Sequence, residues 1–317
     1  MPDDVRAPTL TVEPVVLAHV TGATSWWWAD PATMLALIVT GLLYAQGRRA
    51  LATHRSREVL LPRWRVRCFH AGLLVLVAAL AGPVDAVAGE LFWVHMVQHQ
   101  LLALVAPPLL ILGRSGLVIG GALPRPVRRI LLPGRWLPRA LRSGAVAAAG
   151  AAAVHAGTWW LWHLPGPYEA ALRSDAAHVA EHVLFLGSGA VLWSVTLRRR
   201  PRVGLPVALL SVVAAMLPTS ALAALLTFST RSWYDGHHAA DWGLTPLEDQ
   251  QLGGALMWFP GSLSYLAVAA VIVFRGLTPP PAPPCPPPTA GAGRRPVDLA
   301  AGQEAGAGPV ESRTTSR

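Results

Sequence analysis

Residues 91–112 read LFWVHMVQHQLLALVAPPLLIL. The stretch contains no Asp, Glu, Lys or Arg, and a helix that crosses a bilayer needs about 20 mainly apolar residues. It is therefore expected to span a membrane, and its own polar residues gather in its first half. Working outward, six further runs of span length lie between arginine-rich or Gly/Pro-rich breaks. The seven are Pro31 to Gln46, Val66 to Ala81, Leu91 to Leu112, Gly144 to His163, Ala176 to Leu197, Leu205 to Phe228 and Leu252 to Phe274. The first two are short, but Trp26, Trp27 and Trp28 precede one and Trp64 precedes the other, as interfacial anchors do. The fold class expected is all-α, a polytopic membrane bundle of seven transmembrane helices.

Composition agrees with that reading. The 317 residues are 53% hydrophobic and 14% charged, with a mean hydropathy of +0.42. Soluble domains carry roughly 25% charged residues, so water is not the main solvent here. A net charge of +9 and a pI near 11.0 would suggest nucleic acid for a soluble chain. In a membrane chain the arginines instead collect in loops for topological reasons, and no nucleic-acid partner is expected. Cys68 and Cys285 are the two cysteines, too few for a disulfide scaffold or a multi-cysteine metal site.

The arginines also set the orientation, because short Arg-rich loops stay cytoplasmic. Loops after the first, third and fifth spans carry Arg48 to Arg67, Arg114 to Arg142 and Arg198 to Arg202, whereas the alternate loops carry Asp85, Glu90, Glu169, Asp175, Asp235, Asp241, Glu248 and Asp249. The expected topology has the N-terminus outside and the C-terminus inside. Residues 1–30 form an outer N-terminal segment without the features of a cleaved signal peptide. Residues 31–275 form the membrane domain, and residues 276–317, which include PPPAPPCPPP, form a disordered cytoplasmic tail.

Ionisable side chains at membrane depth are costly and mark function, so the eleven histidines are the main signal. His54 and His70 fall toward the inside, His155 falls mid-membrane, and the rest lie toward the outer half. His95 and His99 are four apart, on one face of the third span. His178 and His182 repeat the relation on the fifth span, with Glu181 between them where Gln98 stands in the first pair. Two helices that each present H-x-x-[EQ]-H at similar depth can supply four imidazoles to one cavity. His163 ends the fourth span at the same level. His95, His99, His178, His182 and His163 are the candidate metal ligands, with Met96, Met257, Asp249, Glu181 and His155 as additional members. His237 and His238, in the loop before the last span, suit either the site or plain solvent. Imidazole suits several metals, and a nearby thioether tilts the choice toward Cu(I), so copper is the cofactor expected. Pro107 and Pro108 are expected to kink the third span below its histidine pair.

Four strings occur in order along the chain: HMVQHQLLALVAPPLLILG (95–113), WHLPGPYE (162–169), HVAEH (178–182) and DQQLGGALMW (249–258). Together they resemble the CtaG family of multi-span cytochrome c oxidase assembly factors, associated with caa-type oxidases. The resemblance implies a multi-pass protein of a bacterial plasma membrane, not an enzyme, needed to make active haem-copper oxidase. It implies oxidase subunits and the lipid bilayer as partners and copper supply on the outer side as a role. The family's ligands carry over to His95, His99, His178 and His182, with His163 and Asp249 beside them. Other classes stay open on the residues alone. HVAEH formally matches the H-x-x-E-H of zinc metallohydrolases, a histidine from each of two helices could ligate haem in an electron carrier, and a copper transporter would need a polar path continuing inward.

Overall fold

Each of the seven apolar runs folds as a helix in the computed structural model, which describes residues 30–52, 61–131, 144–197, 204–234 and 236–277. In chain order the helices are α1 (Pro31–Ala52), α2 (Arg63–Leu80), α3 (Pro83–Ala88), α4 (Phe92–Leu112), α5 (Ser115–Ala122), α6 (Arg125–Leu131), α7 (Gly144–Trp162), α8 (Pro165–Arg173), α9 (Asp175–Thr196), α10 (Leu205–Thr227) and α11 (Pro246–Leu277). No strand occurs among the described residues. Helices α4, α9, α10 and α11 are long and apolar enough to cross a membrane. The expectations for residues 1–29, for His54, Arg55 and Arg57, for Arg135, Arg139 and Arg142, for Arg198 to Arg202, for Asp235 and for the tail beyond Leu277 lie outside the described residues.

Two boundaries move. Helix α1 continues past Gln46 through Arg48 and Arg49 to Ala52, because arginine is a good helix former and the chain need not break where hydropathy falls. Helix α11 begins at Pro246, six residues before the apolar run, so Glu248 and Asp249 sit in its first turn instead of in a loop. Carboxylates are favoured there by the unsatisfied N–H groups of a helix start.

Helix α4 lies among α2, α9 and α11, while α7 packs on α9 and α10, and α10 on α11. The interior is aromatic and aliphatic: Trp159, Trp193, Phe185, Leu102, Leu192 and Leu222 are fully buried. Large apolar side chains such as Leu210, Leu217, Phe259 and Phe274 face outward, the distribution expected where the surrounding solvent is hydrocarbon. At the arginine-rich end, charged side chains close helix C-termini: Arg65 Nη1 donates to Leu112 O at the end of α4, and Arg275 Nη1 to Leu197 O after α9, each at 2.9 Å. Both supply donors to carbonyls that a helix end leaves unpaired.

The two prolines of α4 are absorbed by a π-helical turn, Leu101–Val105, that immediately precedes them and follows the histidine pair. Pro107 has no N–H to give to Ala103 O, four residues back. Trp193 Nε1 of α9 donates to that carbonyl instead, at 2.9 Å. Close approach makes this possible, since a Cβ on Gly189 would stand 2.3 Å from Ala103 O. A neighbouring helix thus re-satisfies the freed backbone group, the condition under which proline is tolerated inside a membrane helix, and α4 is locked to α9 at the level just past His99.

Candidate metal centre

Four pieces of chain meet at the histidine-rich end: the start of α4, the start of α9, the end of α7 and the loop before α11. Helix α4 has no side-chain cap of its own, because Leu91 occupies that position. Asp249 of α11 takes the role across 157 residues: Phe92 N donates to its Oδ2 at 2.8 Å and Trp93 N to its Oδ1 at 3.0 Å. A Cβ on Gly253, one turn on, would meet the Phe92 ring at 2.4 Å, so α11 holds the start of α4 closely as well as capping it. On α9, Ser174 is the cap and accepts from Ala177 N at 3.5 Å.

These anchors aim the paired histidines at one another. His95 and His99 have ring centroids 4.3 Å apart, and His178 and His182 are 4.1 Å apart. Between the pairs, on α9, lies Glu181, fully buried. Its Oε2 is 3.4 Å from His95 Nε2 and its Oε1 is 3.4 Å from His99 Nε2. None of these four atoms has a hydrogen-bond partner among the described residues, nor does His99 Nδ1 or His182 Nε2. Buried polar atoms are almost always paired, and each orphan costs about 1–3 kcal/mol. His95 Nδ1 lies 3.3 Å from Ala88 O, a carbonyl that can accept its proton, and Nε2 faces the Glu181 carboxylate. A backbone carbonyl on the far nitrogen is the usual means of orienting a metal-ligating histidine.

His95, His178 and Glu181 offer ligand atoms within 4.8 Å of one another. Two imidazoles and a carboxylate form a donor set that suits zinc, copper or ferrous iron. A cation placed there offsets the glutamate charge and gives His95 Nε2 and the Glu181 oxygens a partner. The space before the two Nε2 atoms is taken up by a carboxylate, which favours a bare ion over a porphyrin. His182 and His163 complete the surroundings, with centroids 6.2 and 6.1 Å from His99. Phe185 stacks on His99 at 4.0 Å and walls off one side.

The other candidates separate. Met96 is buried beside His163, with Sδ 2.9 Å from His163 Nε2. Met257 is buried in the same apolar core as Met96. Asp249 spends both oxygens on the start of α4 and positions the histidines from behind. His155 belongs to another network altogether: Tyr265 Oη lies 2.7 Å from its Nε2, Trp159 Nε1 donates to the same nitrogen at 3.2 Å, and Ser188 Oγ lies 3.4 Å from its Nδ1. His238 is exposed, while His237 turns inward.

Residues that motif spacing did not single out form the outer wall of the cluster. The Tyr168 hydroxyl of α8 shares a hydrogen bond with His237 Nε2, and its ring lies 5.4 Å from that of His95. Tyr234 Oη donates to His163 O at 2.7 Å. Burial holds the His237 imidazole down to about 4 and raises the phenols of Tyr168 and Tyr234 above their ordinary values, so all three are neutral at pH 7. Asp85 of α3 accepts from Gln98 Nε2 at 2.7 Å, and burial raises its carboxyl. Tyr168 lies within the WHLPGPYE string, but nothing in its spacing shows that α8 folds back over α4.

A family model described as cytochrome c oxidase caa3 assembly factor matches residues 42–278, most of the chain and the whole of the site. No curated protein and no solved structure matches it.

Proposed function

The chain belongs to the cytochrome c oxidase caa3 assembly factor family, and on that premise we propose that it binds copper in the histidine cluster and supplies it to the oxidase during assembly. The observation that carries this reading is Glu181, a buried carboxylate with two imidazole nitrogens at 3.4 Å and no hydrogen bond to either. Copper is cargo here. Neutral imidazoles bind it, Glu181 offsets its charge, and the stack of Phe185 on His99 with Trp159 behind excludes water from one side. Ligands from two separately anchored helices allow release without unfolding either helix.

The proposed setting is a bacterial plasma membrane crossed seven times, with the N-terminus outside and the C-terminus inside. The alternation of arginine-rich and acidic loops supports it, and it opens the cluster to the outer face, where oxidase subunits are the proposed partners. Copper bound per chain after anaerobic reconstitution in detergent tests the proposal. Wild type is expected to bind stoichiometrically and a His99→Ala, His182→Ala variant to lose the metal. Deletion in the source organism is expected to abolish oxidase activity while the oxidase polypeptides are still made. Copper in neither protein, or unchanged oxidase activity on deletion, refutes the copper role. Zinc retained in preference to copper, with peptide cleavage, supports the metallohydrolase instead.

A further inference from the structure

The geometry points to a second, softer metal position within the cluster: His163 Nε2 and Met96 Sδ, beside His99, hold monovalent copper, while His95, His178 and Glu181 take a divalent ion. The inference rests on the copper-handling reading above and adds to it a division of labour by charge and softness.

His163 Nδ1 lies 2.7 Å from Trp159 O, a hydrogen bond that places the ring proton on Nδ1. Its Nε2 is then a lone-pair atom, and it points at Met96 Sδ from 2.9 Å. A thioether sulfur has lone pairs and no proton to give. Two acceptors therefore face each other at contact distance, with nothing between them to make the contact favourable. The side chains are 0–1% exposed, so water does not relieve the conflict. Either an electrophile joins the two atoms or the ring is held as a buried imidazolium.

The donor set selects the electrophile. Thioether with imidazole is a soft pair and suits Cu(I) among the ions available to a protein. Charge argues the same way. The His163–Met96 pair is neutral, and the cost of burying an ion grows with the square of its charge, so a monovalent ion there costs about a quarter of what a divalent one would. Glu181 supplies the compensating negative charge at the neighbouring group, where a divalent ion is less costly. The surroundings are also apolar: Trp159 stacks on His163 with ring planes 23° apart, and Phe185 lies edge-on to it.

Met96 does not stand there by default. A Cβ on Gly253 would approach Met96 Cγ to 3.2 Å, so α11 packs on the stem of the side chain and helps keep the sulfur beside His163. Its remaining torsion lets the N···S distance open around an ion without moving either helix. His99, with both nitrogens lacking hydrogen-bond partners among the described residues, adjoins this pair and Glu181 alike and joins the two positions.

The test uses the full-length protein in detergent under anaerobic conditions, loaded with Cu(I) alone or with Zn(II) alone. X-ray absorption at the copper edge of wild type is expected to show a sulfur neighbour near ~2.3 Å, as for other metal–sulfur bonds. Met96→Leu, which keeps the volume and removes the donor, is expected to lose that neighbour and to weaken Cu(I) by at least about tenfold. Zn(II) affinity is expected to stay unchanged. Met257→Leu is expected to keep the sulfur signal, which assigns it to Met96. A wild-type Cu(I) spectrum of nitrogen and oxygen only overturns the soft position while leaving copper binding intact. So does a sulfur signal that survives Met96→Leu. Failure of wild type to bind Cu(I) or any divalent ion overturns both this inference and the copper reading it rests on.

Discussion

His155 on α7 and His99 on α4 are both buried imidazoles of one bundle, and their surroundings are opposites. Around His155, Tyr265, Trp159 and Ser188 engage both ring nitrogens. Around His99, neither nitrogen has a hydrogen-bond partner among the described residues, and the nearest charge is the Glu181 carboxylate, 3.4 Å from its Nε2. Trp159 touches both regions, donating through its indole to His155 and accepting through its carbonyl from His163. The difference separates a completed polar network from an open one within a few turns of helix. A satisfied polar network stabilises a fold and specifies how helices pack, whereas an unsatisfied one costs stability unless a ligand completes it. Burial alone, or the presence of an ionisable group at membrane depth, does not distinguish the two.

The contrast can be broken first at Glu181. Glu181→Gln keeps the shape and removes the charge, and affinity for divalent copper is expected to fall by at least about a hundredfold, since loss of an outer partner alone costs about 10–100-fold. Thermal stability of the metal-free protein is expected to hold or rise, because a buried charge that accepts no hydrogen bond is gone. A metal-free protein destabilised by this change would mean that Glu181 belongs to the architectural class. His155→Ala is expected to do the reverse. It leaves a cavity and strips partners from Trp159 and Tyr265, for a loss of about 2–4 kcal/mol in stability. Copper stoichiometry, measured on the surviving folded fraction, is expected to match wild type.

Asp249→Ala sharpens the comparison from the side of positioning. Loss of the two bonds to the start of α4 is expected to cost about 1–2 kcal/mol, the range of a strong helix cap, with a modest decrease in copper affinity as His95 and His99 lose their alignment. Loss of copper as complete as in Glu181→Gln, without loss of stability, would make Asp249 a ligand. The smallest effect is expected from Tyr265→Phe, about 1 kcal/mol in unfolding, because Trp159 still donates to His155. Differential scanning of purified protein reads both changes.

Much of this molecule is legible in one dimension. Each span-length apolar run is a helix, and the paired histidines face one centre, because hydropathy and the i, i+4 relation are properties of neighbouring residues. Asp249 was legible as a polar residue near the site but not as a cap, since its partners Phe92 and Trp93 lie more than 150 positions away in the chain. His237 and Tyr168 were illegible in their roles because a loop and a short helix have no period that reveals which way they turn. Pro107 signalled a disturbance in α4; that Trp193 would repair it depends on how closely α9 approaches through Gly189.

Sequence by itself therefore determined the helical class, the apolar runs that fold as helices and the two histidine pairs, because each is written in local spacing and in the solvent the residues tolerate. Tertiary structure decided which imidazoles are completed by protein and which are left open. It turned Glu181 toward His95 and His99, gave His155 its own partners, and set Met96 against His163. Those outcomes depend on the rotation and approach of helices distant in the chain, which no local pattern encodes.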